Sequence, residues 1–330
     1  MLKRRLCEAV IEWKLTCEGP LLIADGRYDQ DRLPGEKGKY PNKVFISRAT
    51  PETIHNNIRD RTAEALNLSF YVPGTSLRGP FRSQAERIIR SLLPEHAAPS
   101  HTACNPFDMD DENILSCSKR FDKKAPQVPY AEACPACKLF GCTGTASRIQ
   151  FTDADIKDPA PGSKVRSVYR DMIGIDRFTG GVYPGANMRF HALENTAFTT
   201  TVTVTNFELW QLGLLAYVLR DFEMGLVSIG FGKAKGFGLV KGEIRQIVLS
   251  YLAGKANGRI QHLGSLATSE ERQLYGLHVA EPPTCALSKM TPDSLSLYET
   301  FKVENRDAFW ADVASAFNAF IKVQQREVGA

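Results

Sequence analysis

Residues 8 to 17 alternate strictly. Val10, Glu12, Lys14 and Thr16 fall on one parity, and Ile11, Trp13, Leu15 and Cys17 on the other. A period of two with one apolar side predicts a half-buried strand. A second apolar piece, Leu21 to Ala24, follows Gly19-Pro20. After Tyr71 the period lengthens. Leu77, Phe81, Ala85, Ile88 and Leu92 recur at steps of three and four, which predicts an amphipathic helix over 76–93. Pro73-Gly74 marks the turn before it, Thr75 or Ser76 is the expected N-cap, and Pro80 is expected in the first turn. Further strands are predicted near 148–152, over 198–205, where β-branched residues dominate, and over 239–249. Between the last two, Trp210, Leu214, Tyr217 and Val218 are spaced for a packed helix over 207–222, with Asn206 as its cap.

The resulting order is β-α-β-β-α-β. It predicts an α+β fold of the ferredoxin-like kind. Residues 1–250 then form one domain, with long insertions at about 25–70, 101–142 and 165–195. A helix is expected within the first insertion, over 50–68. Residues 251–330 read as a C-terminal extension that closes on an amphipathic helix, Asp307 to Gln324. Trp310, Val313, Phe317 and Phe320 form its apolar face.

Composition narrows the class. The chain has 330 residues and the hydrophobic and charged fractions of a soluble globular protein. No apolar run is long enough to span a bilayer. The basic start MLKRRLCEAVIEW lacks a long apolar region and a small-residue cleavage site, so no signal peptide and a cytoplasmic location are expected. The net charge is only +4, so any nucleic-acid site must come from a local basic surface.

Four stretches carry candidate chemistry. Gly225 to Gly242, GLVSIGFGKAKGFGLVKG, places six glycines among three lysines within eighteen residues. Glycine permits positive φ and close backbone approach, and lysine supplies a mobile charge for phosphate. A Walker A loop is excluded because Val227 and Ala234 occupy its required glycine and hydroxyl positions, and a dinucleotide fingerprint because Lys235 replaces its third glycine. What is left is a main-chain cradle for a polyanion, built on Gly232, Lys233 and Lys235, or an ordinary glycine-rich hairpin. In the second stretch, Ser76, Arg78 and Arg82 lie at the start of the predicted helix. They suit a phosphate contact or a solvated surface. The third, residues 165–190, interleaves Arg166, Arg170, Arg177 and Arg189 with Tyr169, Phe178, Tyr183 and Phe190. Such interleaving suits single-stranded nucleic acid or a plain mixed-face hairpin. The fourth holds most of the eight cysteines. Cys134-Pro-Ala-Cys137 has the spacing zinc prefers, and Cys104 and Cys117 can complete a closed tetrahedral site of structural type. His101 is an alternative to Cys104, and Cys142 is a spare thiol.

PGTSLRGPFR, CPACKLFG, GIDRFTGG and GFGKAKGFGLV occur in this order. The pattern resembles the RAMP superfamily of CRISPR-associated proteins. It looks most like the backbone subunit of type III effector complexes, in the zinc-containing subgroup of type III-D and III-E systems. The resemblance covers about residues 8 to 250. It implies a subunit that stacks with other RAMP subunits along a CRISPR RNA, pairs that guide with complementary target RNA, and kinks the duplex with a thumb-like hairpin. Ser76, Arg78, Arg82, Arg170, Arg177, Phe178, Gly232, Lys233 and Lys235 are its implied RNA-binding residues. Active subunits of this family cleave target RNA with an aspartate and Mg2+ or Mn2+, by attack of a 2′-hydroxyl on the adjacent phosphodiester. At the corresponding register this chain has Asn42, and an amide cannot act as a base. Asp31 and Asp29 become the first candidates and Asp25 the third.

Two other readings stay open on the sequence. One is a metal-independent RAMP endoribonuclease that processes precursor CRISPR RNA. None of the six histidines has a clear general-base placement for that chemistry. The other is a non-catalytic, zinc-stapled scaffold or interaction subunit, which would leave the arginine and lysine loops idle.

Overall fold

The computed structural model describes residues 3–28, 41–49, 70–93, 101–107, 116–121, 127–156, 165–256, 259–281, 283, 286–291 and 296–329. The predicted helix over 50–68 lies outside these residues, as do Asp29 and Asp31.

Strand β1 (Cys7–Cys17) buries every second residue, as its alternation dictates. It is followed by β2 (Tyr71–Val72), α1 (Gly74–Leu92) and three short helices, α2 (Cys117–Arg120), α3 (Gln127–Glu132) and α4 (Pro135–Phe140). Then come β3 (Ile149–Phe151), β4 (Ala154–Asp155), a long hairpin of β5 (Arg166–Ile175) and β6 (Val182–Glu194), β7 (Ala197–Thr205), and α5 (Leu209–Glu223). The chain continues through β8 (Val240–Leu252), α6 (Leu263–Leu266), α7 (Ser269–Tyr275), β9 (Leu287–Lys289), β10 (Tyr298–Val303) and α8 (Arg306–Gly329). Eight strands form one antiparallel sheet in the order β2-β4-β7-β1-β8-β10-β9, with β3 also pairing β7. The β5–β6 hairpin is a separate two-stranded ladder.

Trp13 ties the sheet to both long helices. Its ring centroid lies 5.1 Å from Phe81 of α1 and 5.1 Å from Phe222 of α5, and those two phenyl rings are 4.7 Å apart. Each such aromatic buries on the order of 150–250 Å². Gly242 faces the indole from β8, where a Cβ would lie 2.6 Å from Trp13 Nε1.

Three local expectations are corrected. Helix α1 starts at Gly74, so neither Thr75 nor Ser76 caps it and Pro80 lies inside it. The Asp153 carboxylate accepts from Gly74 N–H at 3.0 Å and does the capping from across the fold. Its inward stripe runs through Leu77, Phe81, Ala85 and Ile89, while Leu92 is exposed. Helix α5 is capped by Glu208, which forms a reciprocal capping box with Gln211. Asn206 instead binds the N-terminal strand, accepting from Leu6 N–H at 2.8 Å and donating to Arg4 O at 2.7 Å.

Beyond residue 250, the described elements continue the same sheet and core. Strand β10 pairs with β8, and α8 packs on α5 with Trp210 stacked on Phe320 at 4.2 Å. Phe309, Val313, Phe317 and Phe320 are buried, and Trp310 is half-buried. Gly213 allows this approach, because a Cβ there would meet Val313 O at 2.1 Å.

The root of the hairpin is fixed by Asn42 and His191. Asn42 N–H donates to Arg189 O, and its Oδ1 accepts from Arg189 N–H, both at 2.6 Å. His191 is buried, with Nδ1 facing Phe45 N–H at 3.5 Å and Nε2 against the Ser167 hydroxyl. Burial lowers its pKa from 6.5 to about 4.

Two outcomes follow from this packing. Gly213→Ala lowers stability by about 1–3 kcal/mol, the usual range for overpacking, as measured by urea denaturation. The neutral His191 stabilises the fold fully above pH 6.5, and that contribution is lost as pH falls toward about 4. The loss amounts to roughly 3 kcal/mol, so the difference in unfolding free energy between wild type and His191→Gln should shrink across this window.

Candidate nucleic-acid interface and cysteine site

Residues 225–242 form a tongue folded back on the start of the chain. Gly230 and Gly238 have φ of 79° and 81°, and a Cβ would lie 2.4 Å from Leu22 O or 2.0 Å from Ile229 O. Only glycine fits these positions. The fold-back lets Phe231 N–H reach Leu22 O and Gly238 N–H reach Pro20 O, both at 2.8 Å. Phe231 and Phe237 pack on Phe190 of β6 at 5.2 and 6.2 Å. The tongue and the hairpin root therefore share one wall. Gly232 opens a 3-10 turn at the tip, and Lys233 and Lys235 stand exposed there. Among the described residues neither ammonium has an ion-pair or hydrogen-bond partner.

A cleft of about 250 Å³ separates the tongue from α1. Ser83, Gln84, Arg87, Ser228 and Lys233 line it. Sequence reasoning passed over Ser83 and Arg87. Their spacing of four residues, on a helix face other than that of Arg78 and Arg82, was the available signal.

The hairpin ends in an organised turn. Asp176 Oδ1 accepts from Phe178 N–H at 3.0 Å, and Oδ2 accepts from the Thr179 hydroxyl at 2.9 Å. These hydrogen bonds hold the Asp176 carboxyl below its usual range, the Phe178 N–H contributing most. Asp176 N–H and Gly180 N–H close the turn at 2.8 and 2.9 Å. Phe178 projects from this rigid tip with 100 % of its surface exposed. Arg177 is exposed beside it and has no partner among the described residues. Arg170 is paired with Glu194 at 2.6 Å and Arg189 with Asp171 at 2.7 Å.

Arg78 and Arg82 depart from the sequence expectation. Arg78 donates to Phe140 O. Arg82 donates to Glu86 at 2.8 Å, to Gly141 O at 3.0 Å and to Cys137 Sγ at 3.3 Å. Both side chains are turned onto the cysteine segment. Asp25 is also occupied. Its buried carboxylate accepts from Arg27 N–H at 2.9 Å and from the guanidinium at 2.7 Å, while that guanidinium also donates to Ser47 O.

The four cysteines Cys104, Cys117, Cys134 and Cys137 converge. Their sulfurs all lie within 4.8 Å of one another, and all four side chains are buried. Cys104 and Cys137 sulfurs are 3.7 Å apart. A tetrahedral site with Zn–S bonds of about 2.3 Å needs sulfur–sulfur edges of roughly 3.8 Å, so the donor set fits zinc. Backbone amides support it: Cys134 N–H donates to Cys117 Sγ at 3.4 Å and Cys137 N–H to Cys134 Sγ at 3.3 Å. Hydrogen bonds from Cys117, Cys134 and Cys137 hold the Cys104 thiol well below its ordinary value. His101 faces Gln324 at 3.0 Å and is not part of the group. Purified protein should carry about one equivalent of zinc by elemental analysis, and Cys134→Ser should lower that to well under half.

No curated protein matches the chain in sequence. A family model does, over residues 14–241, which takes in the end of β1, α1, the cysteine segment, the hairpin and nearly all of the tongue. On that match the chain belongs to the RAMP superfamily.

Proposed function

We propose that this protein is a CRISPR RNA-binding backbone subunit of a type III effector complex, of the zinc-containing type III-D or III-E kind. In this reading β1, α1, β3, β7, α5 and β8 are the ferredoxin-like core, and β5–β6 is its thumb. The junction at Phe190 carries the proposal: there the root of a hairpin tipped by Phe178 meets a tongue tipped by two unpaired lysines. Cations without protein partners hold phosphate without reading sequence. An aromatic on a rigid turn wedges between bases. Lys233, Lys235 and Arg177 hold the guide backbone, together with Arg87, whose guanidinium also donates to Gln84 Oε1 at 3.1 Å, and Ser76 and Gly232 border it. Phe178 displaces one base of the guide–target duplex. Base pairing reads the sequence.

Cleavage of target RNA, where it occurs, falls to Asp31 or Asp29 with Mg2+ or Mn2+. The kink would align a 2′-hydroxyl with its neighbouring phosphodiester. Asp25 is held by Arg27.

The reconstituted complex offers two tests. Replacing Lys233 and Lys235 with alanine weakens guide binding for every sequence, and the slope of log K against log salt falls by about 1–2. An unchanged slope removes the tongue from the interface. With complementary RNA and Mg2+ or Mn2+, Asp31→Ala or Asp29→Ala abolishes cleavage at this subunit's segment. If no cleavage maps to this subunit's segment, the subunit is a scaffold; cleavage kept by both variants removes Asp31 and Asp29 from the chemistry, and cutting of precursor RNA by the chain alone in chelator assigns it to the processing class instead.

A further inference from the structure

Helix α1 carries a row of charged residues spaced by four: Arg78, Arg82, Glu86 and Arg90. The whole row faces the cysteine segment. Arg78 holds Phe140 O, and Arg90 holds Ala103 O at 3.2 Å and Cys104 O at 2.8 Å. Glu86 bridges Arg82 and Arg90 at 2.8 and 3.5 Å. Arg82 alone in the row reaches a sulfur, Cys137 Sγ at 3.3 Å. Its second terminal nitrogen holds Gly141 O at 3.0 Å, and Gly141 N–H in turn closes on Cys137 O at 2.8 Å. One planar fork thus fixes both the sulfur and the turn that follows it. Lysine, with one ammonium, cannot hold three divergent acceptors in that geometry.

The charges also match. A tetrathiolate zinc centre is formally a dianion. Three arginines against one glutamate supply two positive charges along the adjoining helix face.

We infer that Arg82 is a positioning residue for the metal of the four-cysteine site: its guanidinium orients Cys137 Sγ and neutralises charge on it. The inference goes beyond the proposed RNA role and rests on the cysteines holding a metal. A hydrogen bond from a cation withdraws electron density from thiolate sulfur. Partners of this kind typically change metal affinity by about 10–100-fold when removed.

The test uses the full chain loaded with Zn2+ and titrated with a chromogenic chelator, followed by Co2+ substitution. Arg82→Gln should release Zn2+ with about 10–100-fold weaker affinity. Its thiolate-to-Co2+ charge-transfer band should move to lower energy, because the sulfur has become more electron-rich. Arg78→Gln removes a carbonyl contact only, and should keep affinity within about threefold with the band in place. Arg82→Lys should recover part of the affinity while its band stays displaced. Wild-type affinity and band position in Arg82→Gln overturn the inference. If that variant does not fold, wild-type values in Arg82→Lys overturn it equally. A wild-type chain that takes up neither Zn2+ nor Co2+ defeats the metal reading itself, which is a different result from a metal bound independently of Arg82.

Discussion

The contact of Trp13 with Phe81 and Phe222 is the constraint on which the rest depends. Strand β1 lies between β7 and β8 in the sheet, so Trp13 sits where both long helices must converge. Fixing α1 there fixes two things at once. Its charged row is set against the cysteine segment, and Ser83 and Arg87 are set opposite the tongue. Fixing α5 fixes where the tongue begins. A single apolar cluster thereby sets the distance between a metal-type site and a cleft lined by the cations Arg87 and Lys233, though neither contains an aromatic of that cluster.

Polar groups divide the labour according to burial. Arg82, with 20 % of its side chain exposed, is committed to carbonyl, carboxylate and sulfur partners. The exposed cations at the tips, Arg177, Lys233 and Lys235, have no such commitments among the described residues. Burying an arginine is tolerable only with its hydrogen bonds made, and that rule separates the arginines of structure from those open to a ligand. Leaving unpaired charges on rigid turns keeps the cost of ordering a ligand's partner groups low.

The regular elements were legible in the sequence because their signals are local. The parity of 8–17, the β-branched run of 198–205 and the CPAC spacing each report on neighbours within a few residues, and each has its counterpart in the structure. What escaped depends on residues far apart. Asp153 caps a helix that starts 79 positions earlier, and no local cap motif can announce that. Arg78 and Arg82 read as phosphate ligands because their spacing is that of an exposed face; their actual acceptors lie about sixty residues on. The choice of Cys104 over His101 likewise turns on how an irregular segment is folded, which periodicity does not encode. Gly230 and Gly238 stand out in the sequence for positive φ and close backbone approach, but the groups that come close, Leu22 O and Ile229 O, lie outside what a local motif reports.

The pairing of β10 with β8 has a further consequence. Strand β8 is thirteen residues long, and β10 pairs with its last five, Val248 to Leu252, on the edge away from β1. A polypeptide stopped at the end of β8 would retain every element of the family match but leave Val248 to Leu252 without their partner strand on that edge. Open edges of this kind recruit other strands and lead to aggregation. A domain boundary drawn at the end of the family match would therefore separate β8 from the strand that covers its end.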